Sequence, residues 1–115
     1  MASLNEVLLI GNMVRDPELK QTTAGKSVCN FSIAVNRPFA KEGQQDVDFV
    51  DIVTWEKQAE FVAKYFPKGE PIYVRGRLQQ RLWTDNEGQK HYAIEILADD
   101  VSFVRSKDSA SKKSE

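Results

Sequence analysis

Four stretches of this chain alternate apolar and polar side chains with a period of two, and one stretch between them does not. In residues 28–36, Cys29, Phe31, Ile33 and Val35 share one side, and Asn30, Ser32, Ala34 and Asn36 the other. In residues 47–55, Val50, Ile52 and Thr54 oppose Phe49, Asp51, Val53 and Trp55. In residues 72–83, Ile72, Val74, Gly76 and Leu78 oppose Tyr73, Arg75, Arg77, Gln79, Arg81 and Trp83. A last stretch places Tyr92, Ile94 and Ile96 on an inward face, after the hairpin turn Asp85-Asn86-Glu87-Gly88. Side chains of a strand point alternately to its two faces, so each stretch reads as a half-buried β-strand. The exception is Ala59, Val62, Ala63 and Phe66, spaced i, i+3, i+4 and i+7 as on a short amphipathic helix, and stopped by Pro67-Lys68-Gly69.

Ahead of these lies a nearly continuous apolar run in residues 4–14 (Val7, Leu8, Leu9, Ile10, Met13, Val14), closed by Asp16-Pro17-Glu18. A run of that kind predicts a strand covered on both faces, by the core and by another subunit. The element order is β-β-β-α-β-β. It is the order of an all-β OB-fold, a five-stranded Greek-key barrel with one short helix between strands 3 and 4. At 115 residues the chain is one domain, expected over residues 1–105. Residues 106–115 are Ser, Lys, Asp and Glu with Ala110 as the single apolar residue, which predicts a disordered tail.

Charge and cysteine content narrow the function classes. The net charge of −1 is not that of a strongly basic chain, so any affinity for nucleic acid depends on where charge is placed. Arg75, Arg77 and Arg81 fall on one strand face with Tyr73 and Trp83. Cations for phosphates beside π faces for unpaired bases suit a single-stranded nucleic acid. A solvated outer face whose aromatics cover a neighbour fits that strand equally well. The lone Cys29 rules out an intrachain disulfide and is compatible with a reducing compartment. No signal-peptide pattern follows Met1 and no apolar run reaches membrane-span length, so the expected location is the cytoplasm, in association with the nucleoid.

An enzyme finds little support. With one His and one Cys, no His/Cys metal cluster can form, and a Cys–His pair would require His91 to meet Cys29, which lies on an apolar face. Asp46, Asp48 and Asp51 could hold Mg²⁺ in principle, but a solvated loop and strand end is the stronger reading. Neither a cofactor nor a metal is expected.

Several motifs carry a resemblance. Asn5-Glu6-Val7-Leu8-Leu9-Ile10-Gly11-Asn12, then Asp16-Pro17-Glu18, resembles the opening of bacterial single-stranded DNA-binding proteins. Asn30-Phe31-Ser32-Ile33-Ala34-Val35, Trp55-Glu56-Lys57-Gln58-Ala59-Glu60, Lys68-Gly69 before Tyr73-Val74-Arg75-Gly76-Arg77-Leu78, and Arg81-Leu82-Trp83-Thr84-Asp85-Asn86-Glu87-Gly88 continue it in order. The resemblance implies an OB-fold subunit that binds and protects single-stranded DNA without sequence preference in replication, recombination and repair. It also implies a homotetramer, with a dimer as the alternative. Carried over by motif position, the base-stacking residues are Phe39, Phe49, Trp55 and Trp83. Many relatives carry Trp at the first two positions and Phe at the third. Candidates for phosphate contacts are Arg75, Arg77, Arg81, Arg15, Lys20, Lys26, Arg37 and Lys41. Relatives usually end in an acidic, aromatic-tipped tail that recruits replication and repair enzymes. Residues 106–115 hold no such tip, so that recruitment is not carried over. A primosomal-type or RNA-binding OB module, and a protein-docking OB module, are the competing readings.

Overall fold

The computed structural model describes residues 2–39 and 41–104. The expected tail, residues 106–115, lies outside the described residues. Among the described residues six strands and one helix follow one another: β1 (Val7–Met13), β2 (Glu18–Gln21), β3 (Ser27–Asn36), β4 (Val47–Trp55), α1 (Glu56–Tyr65), β5 (Pro71–Thr84) and β6 (Lys90–Phe103). Their sheet order is β1-β5-β6-β4-β3-β2, and a further β1–β3 pairing closes five of the strands into a ring. All pairings are antiparallel except β4 with β6, the parallel contact through which the last strand seals the ring. This is the OB-fold. The short β2 is an addition to the five expected strands, so the helix falls between β4 and β5, at the point in the chain where the change of period placed it.

The alternation decides the interior. Cys29, Phe31 and Ile33 from β3, Ile52 from β4, Ile72 and Val74 from β5, and Ile96, Ala98 and Val101 from β6 are buried in one core. Helix α1 closes one end of it with Ala59 and Val62, and Phe66 follows at the C-cap, fully buried. Phe66 stacks on Phe103 at 4.8 Å and meets Phe61 edge-on at 5.3 Å. Thr54, the buried polar residue of β4, donates its hydroxyl to the Cys29 carbonyl at 3.1 Å, so its burial leaves no unmet donor. Burial, reinforced by the charge of Glu18, pushes the Cys29 thiol up, which suits a packing residue rather than a nucleophile.

Within this chain residues 4–14 are covered on one face, with Leu9 packed on the core while Leu8 and Ile10 stay exposed on the face expected to meet another subunit. One expectation is corrected: the inward face of the last hairpin ends sooner than its alternation predicts. β1 pairs with β5 only as far as Val7 opposite Gly76, whereas β5 and β6 pair on to Thr84 opposite Lys90. Beyond Gly76 the hairpin is therefore an arm that leaves the ring. Leu78, Tyr92 and Ile94, on the face that is inward lower down, are exposed, and only Ile96 of the predicted inward set is buried. Asn5 marks the departure point, since its side-chain amide donates to the Leu78 carbonyl at 2.8 Å and accepts from the Leu78 N–H at 2.9 Å.

Gly76 sits where the register of β5 against β6 shifts. A Cβ there would collide with the Leu97 carbonyl oxygen and lie 2.9 Å from the Ala98 Cα, so a side chain is excluded by close backbone approach.

Candidate nucleic-acid interface

The outer face of β4 carries Phe49, Asp51, Val53 and Trp55, opposite Ala34, Ser32, Asn30 and Val28 of β3. The parallel contact of Val53 with Leu97 brings β6 alongside, and with it the arm. On the same side of the arm, Arg77, Gln79, Arg81 and Trp83 stand opposite Leu97, Glu95, Ala93 and His91. Strand, arm and the β1–β2 segment enclose an open cleft of about 730 Å³ lined by Arg15, Asp16, Glu18, Lys20, Asn30, Ser32, Asp51, Val53, Trp55, Arg81 and Glu95 among others.

Trp55 takes its place from a change of secondary structure. It is the last residue of β4 and the N-cap of α1, and Glu56 turns the chain with φ of 56°. A non-glycine residue in this left-handed region costs about 1–2 kcal/mol, and here it leaves the indole at the rim of the cleft. Trp55 and Trp83 are each 40% exposed, whereas Phe49 and Phe39 are open to solvent at 66% and 99%. Phe39 also has a positive φ of 63°, at the tip of the loop between β3 and β4.

The expected cations divide into groups. Arg15, Lys20 and Arg81 line the cleft. Arg77 lies on the arm's cleft side, and Lys26 and Lys41 lie in flanking turns. Arg75 stands apart, in a small recess with Leu4, Asn5, Glu6 and Asp99, because the register shift after it separates it from the arm. Arg37 is already engaged, its guanidinium donating to Asp48 at 2.9 and 2.7 Å. That bidentate bond holds the Asp48 carboxyl below its usual range and the guanidinium above its own. It clasps the base of the loop that bears Phe39, where the Arg37 N–H also donates to the Asp46 carbonyl at 2.8 Å. Arg81 lies 3.3 Å from Glu95, and Lys20 lies 3.9 Å from Glu18.

Apart from Asp51, which alternation sets beside Phe49 and Trp55, carboxylates are the part of the site that the sequence reading did not single out. Asp16, Glu18, Asp51 and Glu95 all border the cleft. Asp51 accepts from Ser32 Oγ at 2.7 Å, and Glu95 accepts from Gln79 Nε2 at 2.8 Å. Counting outward from a turn at residues 85–88 would set Ile94 opposite Gln79; the loop spans residues 85–89, and that one residue brings Glu95 there instead. The trio Asp46, Asp48 and Asp51 does not converge on an ion, because Asp48 holds Arg37 and Asp51 holds Ser32. Among the described residues no group of His, Cys, Asp and Glu could hold a metal, and no helix is long and apolar enough to cross a membrane. Cys29 and His91 do not pair: the thiol is in the core and the imidazole binds Asp85.

Comparisons with known proteins bear on the family. The model of the single-strand binding protein family matches residues 4–104. A protein of Halalkalibacterium halodurans named a single-stranded DNA-binding protein is 44% identical over 110 residues, 95% of this chain and 66% of that one. Single-stranded DNA-binding protein 2 of Clostridium acetobutylicum is 45% identical over 102 residues, 88% of this chain and 77% of that one. Single-stranded DNA-binding protein 1 of Staphylococcus aureus is 44% identical over 107 residues, 92% and 69% of the respective chains. This chain therefore spans roughly two thirds to three quarters of these relatives.

Proposed function

The chain belongs to the single-strand binding protein family, and on that premise we propose that it binds single-stranded DNA without sequence preference, in replication, recombination and repair. The observation that carries the proposal is the single outer face on which Phe49, Trp55, Arg77, Arg81 and Trp83 meet across β4 and the arm. Bases stack on Trp55, Phe49, Trp83 and Phe39, each stack contributing about 1–3 kcal/mol whatever the base. Arg77, Arg15, Lys20 and Lys26 contact phosphates, with Arg81 released from Glu95 to join them. Arg75, Arg37 and Lys41 are secondary, the first by its position and the second by its bond to Asp48. Carboxylates beside the bases repel phosphate, and they turn a strand so that its bases rather than its backbone meet the floor of the cleft. A duplex keeps its bases stacked and offers no π surface to this face. The role is binding without catalysis, in the cytoplasm and on the nucleoid, within a domain spanning residues 1–105.

Self-association to a homotetramer, or to the smaller dimer, is part of the proposal. It is supported by exposed Leu8 and Ile10 and by the edge of β1, which pairs with β3 only at Asn12 and Met13. Light scattering of wild type and Ile10→Glu decides it, with a lower mass for the variant expected.

The test of function is tryptophan fluorescence titrated with oligo(dT), beside duplex of equal length, at low and high salt. Quenching by the single strand that survives salt, with little response to duplex, is the expected result. Binding to both forms that vanishes with salt, or no quenching at all, would return Trp55 and Trp83 to a packing role.

A further inference from the structure

The tip of the arm carries a chain of contacts that base stacking does not by itself require. Trp83 and His91 are register partners, and their rings stack with centroids 5.4 Å apart and planes 23° from parallel. His91 Nε2 lies 2.7 Å from Asp85 Oδ2, while Asp85 Oδ1 accepts the backbone N–H groups of Glu87 and Gln89, both at 2.9 Å. The turn thus holds the carboxylate, the carboxylate holds the imidazole, and the imidazole lies against the indole. An ionised carboxylate only accepts, so His91 donates from Nε2, as the Nε2–H tautomer or as the imidazolium. The second group on the indole is different in kind. The Arg81 guanidinium sits 4.5 Å from the Trp83 ring centroid, on a side chain more than half exposed and tethered to Glu95 at 3.3 Å.

We propose that His91 is a positioning residue for Trp83: anchored by Asp85, it backs the indole while Arg81 is the group that an incoming base displaces. The proposal rests on the reading of this face as a single-stranded DNA site. In the free protein the guanidinium covers part of the indole. On binding, a base takes its place and Arg81 turns to a phosphate, so a cation–π contact is exchanged for a base stack and one anionic partner for another. His91 stays, because its anchor is part of the turn.

The charged groups around His91 are Asp85 from the turn, Arg81 on the same side of β5 and Glu95 on the same side of β6.

The experiment uses the full chain in a Trp55→Phe background, where Trp83 is the one tryptophan left of two. Oligo(dT) is titrated into the parent, His91→Ala and His91→Phe. Losing a stacked ring partner weakens binding by His91→Ala about 2- to 12-fold. His91→Phe, which keeps a ring against the indole, restores the parent's affinity. His91→Ala with the parent's affinity overturns the proposal while leaving the DNA site intact. No response to oligo(dT) by the wild-type protein removes the site and the proposal together. In the free protein, Trp83 emission shifts in His91→Ala, where the indole loses the ring that covers it, and returns toward the parent's in His91→Phe. Identical spectra in the parent and His91→Ala overturn the contact itself.

Discussion

Arg37→Ala and Arg77→Ala remove the same charge, yet the structure predicts that only Arg77→Ala changes the salt dependence of DNA binding. Each phosphate contact to a single strand contributes about 0.7 to the slope of log affinity against log salt, through counterion release. Arg77 is exposed on the cleft side of the arm, and no ion pair engages it among the described residues. Its guanidinium is free to take a phosphate. Arg37 must first break two bonds to Asp48, at 2.9 and 2.7 Å, and doing so uncovers a carboxylate beside the DNA. The charge it would deliver is cancelled by the charge it leaves. Raising salt from about 50 to about 200 mM should therefore cost wild type about 2.6-fold more affinity than Arg77→Ala, while Arg37→Ala runs parallel to wild type. The assay is a fluorescence titration with oligo(dT) at four or more salt concentrations. Because only slopes are compared, a change in absolute affinity from loosening the Phe39 loop does not confuse the result. If Arg37→Ala flattens the slope as much as Arg77→Ala, intramolecular pairing does not decide which cations serve the DNA. A wild-type slope in Arg77→Ala would take that residue off the phosphate path.

Trp83→Ala should lose about 1–3 kcal/mol of binding free energy with an unchanged salt slope, since a stack releases no counterion; a flattened slope in that titration would mean the indole acts by placing Arg81. Gly76→Ala should destabilise by about 1–3 kcal/mol or more, because its Cβ meets backbone rather than a movable side chain, and a melting temperature equal to wild type would contradict the close approach. Phe66→Ala should cost about 3–5 kcal/mol in denaturant unfolding, as the ring is fully buried between α1 and Phe103; a loss below about 1 kcal/mol would mean the site collapses without a cavity. The Asp48 and Asp85 carboxyls are both held low, chiefly by hydrogen bonds from Arg37 and His91. Their contribution is full above the unfolded carboxylate pKa of about 3.9 and is lost as pH falls through the lower folded values, so the Asp48→Asn/Asp85→Asn variant should lose less melting temperature below about pH 4 than wild type. Matching acid profiles would refute that linkage.

Much of the fold was written in local pattern. The side-chain period of two in Cys29-Phe31-Ile33 and in Ile72-Val74-Gly76 identifies the faces of β3 and β5, and the change of period at Ala59 announces α1. The same pattern put Phe49 and Trp55 on the face opposite Ile52, where the structure has them. β2 was missed because Glu18-Leu19-Lys20-Gln21 is exposed throughout and owes its form to pairing with β3, which no local pattern records.

Alternation follows from backbone chirality and sterics, so a single strand declares which of its residues share a face before it has any neighbour. What covers that face is a property of the whole chain. Leu78, Tyr92 and Ile94 alternate like core residues, yet β1 ends its pairing with β5 at Gly76, and beyond that point their face has no opposite wall. Arg37, Arg75 and Arg77 look alike in sequence. Tertiary structure gave the first to Asp48, the second to a recess with Glu6 and Asp99 and the third to the cleft side, because electrostatic partners are chosen by distance in space and not by spacing along the chain.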